Sequence, residues 1–216
     1  KEMPGYKYII WDWNGTILDD LQLNLEVENT LLSRRGKKLI KDIDEYQEKF
    51  QFPIIKFYES LDFDLENEKF EDIAKEYVFE FDERFYELET FSDAQSTIRE
   101  FKYKGIEQIV LSQTEQRWLE KQIAFHDMDY LFTELLGARD IYVKGKVGIA
   151  LEWITKNDID TTQVLMVGDT LHDFEVAQNI GCDCILIARG HHSKERLLTT
   201  GVPVLDSIEE LKRMVI

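Results

Sequence analysis

The chain has 216 residues, of which 44% are hydrophobic and only 3 are Pro, so extended disorder and fibrous classes are excluded. No apolar run reaches the roughly 18 residues that span a bilayer, and residues 1–8 lack a signal-peptide pattern, so we expect a cytoplasmic protein. A net charge of −17 repels nucleic-acid phosphates and anionic lipids. We therefore expect no nucleic-acid and no membrane partner. The expected oligomeric state is a monomer or a homodimer.

A short apolar run that ends in an acid, residues 7–12, predicts a buried parallel strand, and Asn14-Gly15 after it supplies turn chemistry. From residue 19 to residue 90 the periodic signals are helical, and the clearest is an apolar stripe at spacings of three and four over residues 70–85. The same block holds 21 Asp or Glu against 10 Lys or Arg, which is most of the net negative charge. We predict a bundle of helices inserted after the first strand.

After residue 90 the chain alternates between short apolar runs and amphipathic stretches. The runs predict strands at residues 106–112, 134–136, 164–167, 184–187 and 202–205. Helices are predicted between them and at the C-terminal end, over residues 207–214. Strands that alternate with helices imply an α/β fold, in which a parallel sheet is covered on both faces by right-handed crossovers.

Polar side chains follow the ends of several predicted strands. Asp12 ends the first strand, Ser112 ends the second, and a later strand runs into a segment that contains Asp169 and Asp173. Because ligands of an open parallel sheet bind beyond the carboxyl ends of its strands, we expect these groups to share one crevice. Crowded carboxylates raise one another's pKa unless a cation neutralises them, and oxygen ligands beside a phosphate favour Mg²⁺. Ser112 and a lysine of the loop 144–146 would bind phosphate, which leaves one carboxylate free to attack phosphorus.

Four segments resemble, in order and spacing, the four motifs of the haloacid dehalogenase superfamily. They are Asp12-Trp13-Asn14-Gly15-Thr16, Ser112, the lysines of residues 144–146, and Gly168-Asp169-Thr170-Leu171-His172-Asp173. The resemblance covers the whole chain and implies a Rossmann-like, doubly wound core of residues 1–18 and 91–216 with a helical cap domain of residues 19–90, as in phosphoglycolate-phosphatase-like members. It implies a Mg²⁺-dependent phosphatase that hydrolyses a small phosphorylated molecule through an aspartyl-phosphate intermediate.

The resemblance also implies roles for single residues, with Asp12 as the nucleophile. The implied metal ligands are Asp12, the backbone carbonyl of Asn14, Asp169, and Asp173 either directly or through the outer sphere. Thr16 and Ser112 are implied to orient the nucleophile and the phosphoryl group. The groups expected to bind the substrate phosphate are Ser112, Gln113 and Lys146.

The lysine of the third motif has two candidates. Counting back from Gly168 without gaps favours Lys144, whereas Lys146 directly precedes the amphipathic helix predicted from Val147. We prefer Lys146 and expect the other lysine to be a solvated surface charge.

Asn14 departs from the family pattern, which usually has Asp two residues after the nucleophile to protonate the leaving group and then activate water. An amide cannot shuttle that proton, and loss of general acid–base help costs about 10²–10⁴ in rate. One interpretation is a substrate with an acidic leaving group, such as an acyl phosphate or a phosphoanhydride. A second is another proton donor, for which His172, Asp19 and Asp20 are candidates. A third is a protein that binds a phosphorylated ligand with little turnover.

A phosphonatase-like hydrolase is a further alternative, since such enzymes also lack the second acid. It would require a cap lysine that forms a Schiff base, and Lys37, Lys38 and Lys41 are the candidates, although close charges on a loop are usually solvated. His191 and His192 follow a glycine in a predicted loop, and we expect them to be exposed polar residues.

Overall fold

The structure, a computed structural model, describes residues 5–139 and 145–216. Its sheet has six strands, β1 to β6 in chain order: Tyr8–Trp11, Glu107–Glu115, Glu134–Ala138, Val164–Gly168, Asp183–Ile187 and Val204–Leu205. All are parallel and lie in the order β3-β2-β1-β4-β5-β6. This order confirms the predicted doubly wound sheet and places its switch point between β1 and β4, where ligands of such folds bind.

Ten helices accompany the sheet in these two described ranges. They are numbered α1 to α10 in chain order: Leu21–Arg34, Ile43–Lys49, Ile54–Ser60, Phe70–Arg84, Ser92–Tyr103, Gln116–Phe125, Lys146–Lys156, Leu171–Ile180, Lys194–Leu198 and Lys212–Val215. Helices α1 to α4 lie between β1 and α5, and we call residues 19–90 the helical insertion. None of the described helices is both long and apolar enough to cross a bilayer.

The strands alternate their side chains between two apolar cores, one on each face of the sheet. Ile9 and Trp11 of β1 belong to the first core, and Ile10 between them belongs to the second. In β4, Leu165 lies in the first core and Met166 in the second. Because both faces are buried, the strands appear in the sequence as continuous apolar runs rather than as alternating ones.

β2 and the C-terminal region differ from the prediction. β2 continues to Glu115, because its register against β3 shifts after Leu111 and pairing resumes at Glu115. β6 has only two residues, since Pro203 before it has no N–H to donate to a sheet. The C-terminal helix is also shorter than predicted, because the 3-10 turn Glu209–Leu211 precedes α10.

The helical insertion buries an acidic side chain. Glu28 on α1 is 3% exposed, and its Oε1 accepts a hydrogen bond from the Tyr58 hydroxyl at 3.0 Å. Its Oε2 has no hydrogen-bond partner among the described residues. Burial raises the pKa of Glu28 to about 8, so the folded protein holds a proton there at neutral pH.

We expect Glu28→Gln to stabilise the protein increasingly as the pH rises from about 5 to about 8. In the unfolded chain this carboxyl ionises near its ordinary pKa of 4.5, whereas the folded protein keeps the proton up to about pH 8, so the wild type loses stability across this window. Gln does not titrate. Urea denaturation at each pH should therefore show a difference in unfolding free energy that grows by about 2–4 kcal/mol. A difference that stays constant with pH would contradict a neutral Glu28.

Candidate active site

Three carboxylates meet at the switch point of the sheet. Asp12 follows β1 and Asp169 follows β4, and the Asp12 N–H donates to the Val167 carbonyl at 2.9 Å. Asp173 joins them from the first turn of α8. One carboxylate oxygen from each lies within 4.8 Å of the others, and all three residues are buried. The structure thus brings the three predicted acids into one crevice.

Asp173 is fixed by the start of α8. Its Oδ2 accepts hydrogen bonds from the N–H groups of Asp169 and Thr170 and from the Thr170 hydroxyl, at 3.0 to 3.1 Å. The Thr170 hydroxyl in turn accepts from the Asp173 N–H, which completes a capping box. Because the capping box uses Oδ2, Oδ1 is the oxygen that faces the other charged groups.

Lys146, the first residue of α7, is the cation of the crevice. Its Nζ donates to Asp12 Oδ1 at 2.5 Å and to Asp173 Oδ1 at 2.7 Å, and its side chain is only 6% exposed. The ammonium group therefore offsets part of the carboxylate charge. Its role in binding phosphate stays a prediction, and the alternative, Lys144, lies outside the described residues.

The turn after β1 packs Thr16 and Gly15 against Asp169. The Thr16 hydroxyl lies 3.1 Å from Asp12 Oδ2 and 2.9 Å from Asp169 Oδ1, so its single proton can serve only one of them at a time. Gly15 has a φ of +78°, and a Cβ there would lie 2.4 Å from Asp169 Oδ2 and 2.4 Å from the His191 ring. Backbone conformation and close approach both require glycine at this position.

The two predicted phosphate ligands of β2 lie on the strand next to β1. Ser112 is 1% exposed, and its Oγ accepts a hydrogen bond from the Thr114 N–H at 3.1 Å. Gln113 is exposed, and its amide nitrogen lies 3.4 Å from the ring of His172. That ring stacks on Phe52 of the helical insertion, with 4.7 Å between centroids. Their roles toward a phosphate remain predictions.

The carboxylates of the crevice have unequal pKa values. Burial, with the charge of Asp173, raises the pKa of Asp12 well above its ordinary value, and burial raises the pKa of Asp169 to about 6. Burial acts in the same direction on Asp173, but the charge and hydrogen bond of Lys146 outweigh it and lower the pKa of Asp173. Asp173 and Lys146 therefore form the charged pair of the crevice, and Asp12 is costly to ionise without a further cation.

Asn14 connects the crevice to the helical insertion. Its amide Nδ2 donates to Asp20 Oδ2 at 3.0 Å, and its Oδ1 accepts from the Thr114 hydroxyl at 3.3 Å. Among the three candidate proton donors, Asp20 is the one that contacts Asn14, and it is 1% exposed. Asp19 is exposed.

The expected exposure of His191 is wrong, because this residue is 5% exposed and lies at the crevice. Its N–H donates to Asp169 Oδ2 at 2.7 Å. Its ring lies between two residues of the helical insertion, with Nε2 at 2.9 Å from Asp20 Oδ1 and Nδ1 at 2.8 Å from the Tyr46 hydroxyl. His191 therefore connects a carboxylate of the crevice to both side chains.

His192 is also buried, at 2% exposed, which corrects the same expectation. Its Nδ1 accepts from the Leu171 N–H at 2.9 Å, and its Nε2 lies 2.8 Å from the Phe50 carbonyl. Burial lowers the pKa of His192 to about 3, so the neutral ring accepts through one nitrogen and donates through the other. Both histidines follow β5, the neighbour of β4, and the strand-end rule applied to β5 would have found them.

The lysines required by a phosphonatase lie in the connection between α1 and α2. Lys38 and Lys41 are exposed, and Lys41 Nζ lies 3.8 Å from the carboxylate of neighbouring Asp42. Lys37 is half-buried. Within the described residues, the ammonium group that contacts the carboxylates of the crevice is that of Lys146.

Comparison with protein families gives a match to the model for haloacid dehalogenase-like hydrolases over residues 9–187. The chain is 25% identical over 118 residues to a phosphoglycolate phosphatase of Aliivibrio fischeri, an alignment that covers 54% of this chain and 49% of the relative. Against the phosphoglycolate phosphatase of Photobacterium profundum it is 20% identical over 221 residues, covering 98% and 96%. In most of its matches the chain spans about half the length of the curated relatives.

Solved structures share the fold along nearly the whole chain. A haloacid dehalogenase-like hydrolase from Bacteroides fragilis has a TM-score of 0.82 and 19% identity, with 95% of this chain and 99% of the other covered. CbbY from Rhodobacter sphaeroides, solved in complex with phosphate, has a TM-score of 0.74 and 20% identity, with 95% and 96% covered. At these identities the likeness establishes the fold and leaves function to the geometry of the site.

Proposed function

Because the chain belongs to the haloacid dehalogenase-like hydrolase family, we propose that it is a Mg²⁺-dependent phosphatase acting on a small phosphorylated molecule. The observation that carries the proposal is the crevice in which oxygens of Asp12, Asp169 and Asp173 lie within 4.8 Å of one another beside Lys146. The relatives named phosphoglycolate phosphatase support a phosphate ester as the class of substrate.

Asp12 is the nucleophile of the proposed reaction. One of its carboxylate oxygens forms a bond to phosphorus while the bond from phosphorus to the leaving-group oxygen breaks, and the departing oxygen takes up a proton from solvent. Water then attacks phosphorus, the bond to Asp12 breaks, and inorganic phosphate is released. Thr16 at Oδ2 and Lys146 at Oδ1 hold the carboxylate in one orientation, which lowers the entropic cost of the attack.

The donor set of the crevice fits a hard divalent cation. Carboxylate oxygens of Asp12 and Asp169 with the Asn14 backbone carbonyl would hold Mg²⁺, and Asp173 would act directly or through the outer sphere. The raised pKa values of Asp12 and Asp169 support this assignment, because two buried acids ionise together near neutral pH only beside added positive charge. When bound, the ion neutralises charge on phosphoryl oxygens.

Lys146, Ser112 and Gln113 are the proposed phosphate ligands. Lys146 supplies a buried positive charge, and the two β2 side chains supply hydrogen bonds from the adjacent strand. In this proposal residues 1–18 and 91–216 form the core domain, and the helical insertion is the cap domain. Contacts of Tyr46 with His191 and of Phe50 with His192 support a cap that covers the crevice and limits its exposure to bulk water.

The test of the proposed function is phosphate release from a panel of small phosphate esters, with Mg²⁺ and with chelator. We expect release only with Mg²⁺. We also expect Mg²⁺ to raise the unfolding free energy of the wild type, by about 2.7 kcal/mol at a concentration 100 times the dissociation constant. Asp169→Asn should lose both effects, and Asp129→Asn, an exposed control, should keep them. Release that is equal in chelator would refute the metal assignment.

A second candidate function, a phospholigand-binding protein with little turnover, is favoured by Asn14. We expect Asn14→Asp to lower stability by about 1–3 kcal/mol near neutral pH, because it replaces a donor with a carboxylate facing Asp20 at 3.0 Å. Phosphate release should not rise. Thermal unfolding and steady-state rates of the variant check both expectations. A large gain in rate would instead identify the wild type as a protein that has lost turnover and favour the second candidate.

A further inference from the structure

The segment after β5 fixes the carboxylate of Asp169 from one side of the crevice. The His191 N–H donates to Asp169 Oδ2 at 2.7 Å, and Gly190 lies so close that a Cβ there would overlap the same oxygen. On the other side, Gly15 approaches Oδ2 in the same way, and the Thr16 hydroxyl lies 2.9 Å from Oδ1. The orientation of the Asp169 carboxylate therefore depends on where both of these chain segments lie.

Two side chains of the helical insertion hold the ring of His191. Its Nε2 lies 2.9 Å from Asp20 Oδ1, and its Nδ1 lies 2.8 Å from the Tyr46 hydroxyl. A ring that carries one proton, on Nε2, satisfies both contacts, because it donates to the carboxylate of Asp20 and accepts from the hydroxyl of Tyr46. Since His191 is only 5% exposed, these contacts decide the orientation of the ring and hence the position of the backbone to which it is attached.

Further hydrogen bonds join α2 of the helical insertion to the same segment after β5. The Gln47 amide Nε2 donates to the Gly190 carbonyl at 2.8 Å. The guanidinium of Arg196 donates to the carbonyl groups of Gln47 at 2.6 Å and Phe50 at 2.7 Å, and His192 Nε2 lies 2.8 Å from the Phe50 carbonyl. Carbonyl groups at the C-terminal end of a helix lack partners within the helix, so these contacts bind the end of α2 firmly to the segment.

Asp20 connects the helical insertion to a second proposed metal ligand. Its Oδ2 accepts from the Asn14 amide at 3.0 Å, and the backbone carbonyl of Asn14 is one of the groups proposed to hold Mg²⁺. The insertion therefore contacts residues that position two ligands, Asn14 directly and Asp169 through His191. Groups that orient metal ligands in this way typically change metal affinity by about 10–100-fold when they are removed.

We infer that His191 is a positioning residue for the proposed metal site and couples Mg²⁺ binding to the docking of α2 on the core domain. While Tyr46 and Asp20 hold its ring, its N–H keeps the Asp169 carboxylate in the orientation that binds the ion. The inference rests on the proposed function and deepens it. Coupling of two binding equilibria is reciprocal, so bound Mg²⁺ strengthens the docking of α2 by the same factor as docking strengthens Mg²⁺ binding.

The affinity for Mg²⁺ can be measured without substrate, from the gain in unfolding free energy as the ion is added. This gain depends on the dissociation constant alone, so the stability that a variant itself loses cancels. We expect His191→Ala, which frees the N–H from the insertion, to raise the dissociation constant at least about tenfold. Tyr46→Phe, which removes one hydrogen bond to the ring, should raise it about three- to tenfold.

Tyr58→Phe is the matched control for Tyr46→Phe. It removes the hydroxyl of another buried tyrosine of the helical insertion, but that hydroxyl donates to Glu28 at 3.0 Å rather than to His191. We expect it to lower stability and to leave the dissociation constant of Mg²⁺ unchanged. A variant that acts only by weakening the insertion would behave like this control.

Hydrogen exchange measures the reciprocal effect of the ion on α2. With each protein saturated with Mg²⁺, we expect exchange of the α2 N–H groups, Ile43–Lys49, to slow in the wild type and in Tyr58→Phe. The same protection should be lost in His191→Ala. Comparison at saturation separates this local effect from the general stabilisation that any bound ion provides.

The outcomes separate the inference from the metal site on which it rests. If Mg²⁺ does not stabilise the wild type, the proposed metal site fails and the inference falls with it. If Mg²⁺ stabilises the wild type but binds His191→Ala and Tyr46→Phe within about twofold of it, the inference alone is overturned. An equal loss of affinity in Tyr58→Phe also overturns it. If His191→Ala does not fold, Tyr46→Phe against Tyr58→Phe decides.

Discussion

Asp12→Asn is expected to lower phosphate release by at least about 10⁴-fold, because an amide cannot form the covalent bond to phosphorus on which the reaction depends. The substitution preserves shape and keeps an oxygen that can accept from Lys146 or Thr16, whose contacts with Asp12 are 2.5 and 3.1 Å. Substrate binding should therefore change much less than kcat. Steady-state kinetics, with calorimetric titration of inorganic phosphate, measure the two quantities separately.

Asp129→Asn is the matched control for this experiment, since it makes the same chemical change at an exposed site. Its kcat should equal that of the wild type. An Asp12→Asn protein that is folded, binds phosphate and turns over within tenfold of the wild type would show that another group attacks phosphorus.

Lys146→Met is expected to destabilise the protein by about 3–5 kcal/mol at neutral pH, because it removes the cation from a buried cluster of carboxylates. In the wild type, Lys146 holds the pKa of Asp173 below its ordinary value, so this carboxylate contributes stability above about pH 4 and loses it below. Without the lysine, burial raises that pKa. The difference in unfolding free energy between the two proteins should therefore grow as the pH rises from about 4 to about 7.

The same substitution should lower phosphate release by about 10²–10³-fold through the loss of a charge beside the phosphoryl group. Lys156→Met, at the exposed C-terminal end of α7, is the matched control and should change stability by less than about 1 kcal/mol. Urea denaturation across this pH range measures the unfolding free energy of each protein. A Lys146→Met protein as stable as the wild type at every pH would show that the carboxylates do not depend on this lysine.

The sequence alone predicted where the site residues at the strand ends would lie. Asp12 and Asp169 could be placed together because each follows an apolar run, and the ends of parallel strands meet at one edge. Asp173 could be placed with them because it follows Asp169 closely in the sequence, in the first turn of the next helix, where side chains point back toward the preceding strand. Lys146 was preferred for its place at the start of a helix, where the structure has it.

Other groups depended on packing between distant parts of the chain. The end of β5 could have pointed to His191 and His192, but their burial could not be predicted, because it depends on Tyr46 and Phe50, about 140 residues earlier in the chain. The sequence around Glu28 gives no sign that this residue is buried, because its spacing from Asp20 is equally typical of a solvent-exposed helix face. The length of β2 was missed because it depends on a register shift against another strand.

In the proposed mechanism Asp12 carries the phosphoryl group during turnover. The most direct measurement is rapid acid quench with substrate and Mg²⁺, followed by borohydride reduction and peptide mass spectrometry, since an acyl phosphate is reduced where a free carboxylate is not. We expect conversion of Asp12 to homoserine during turnover and no conversion in Asp12→Asn. Steady phosphate release with residue 12 unmodified, or with the reduced residue elsewhere in the chain, would contradict it.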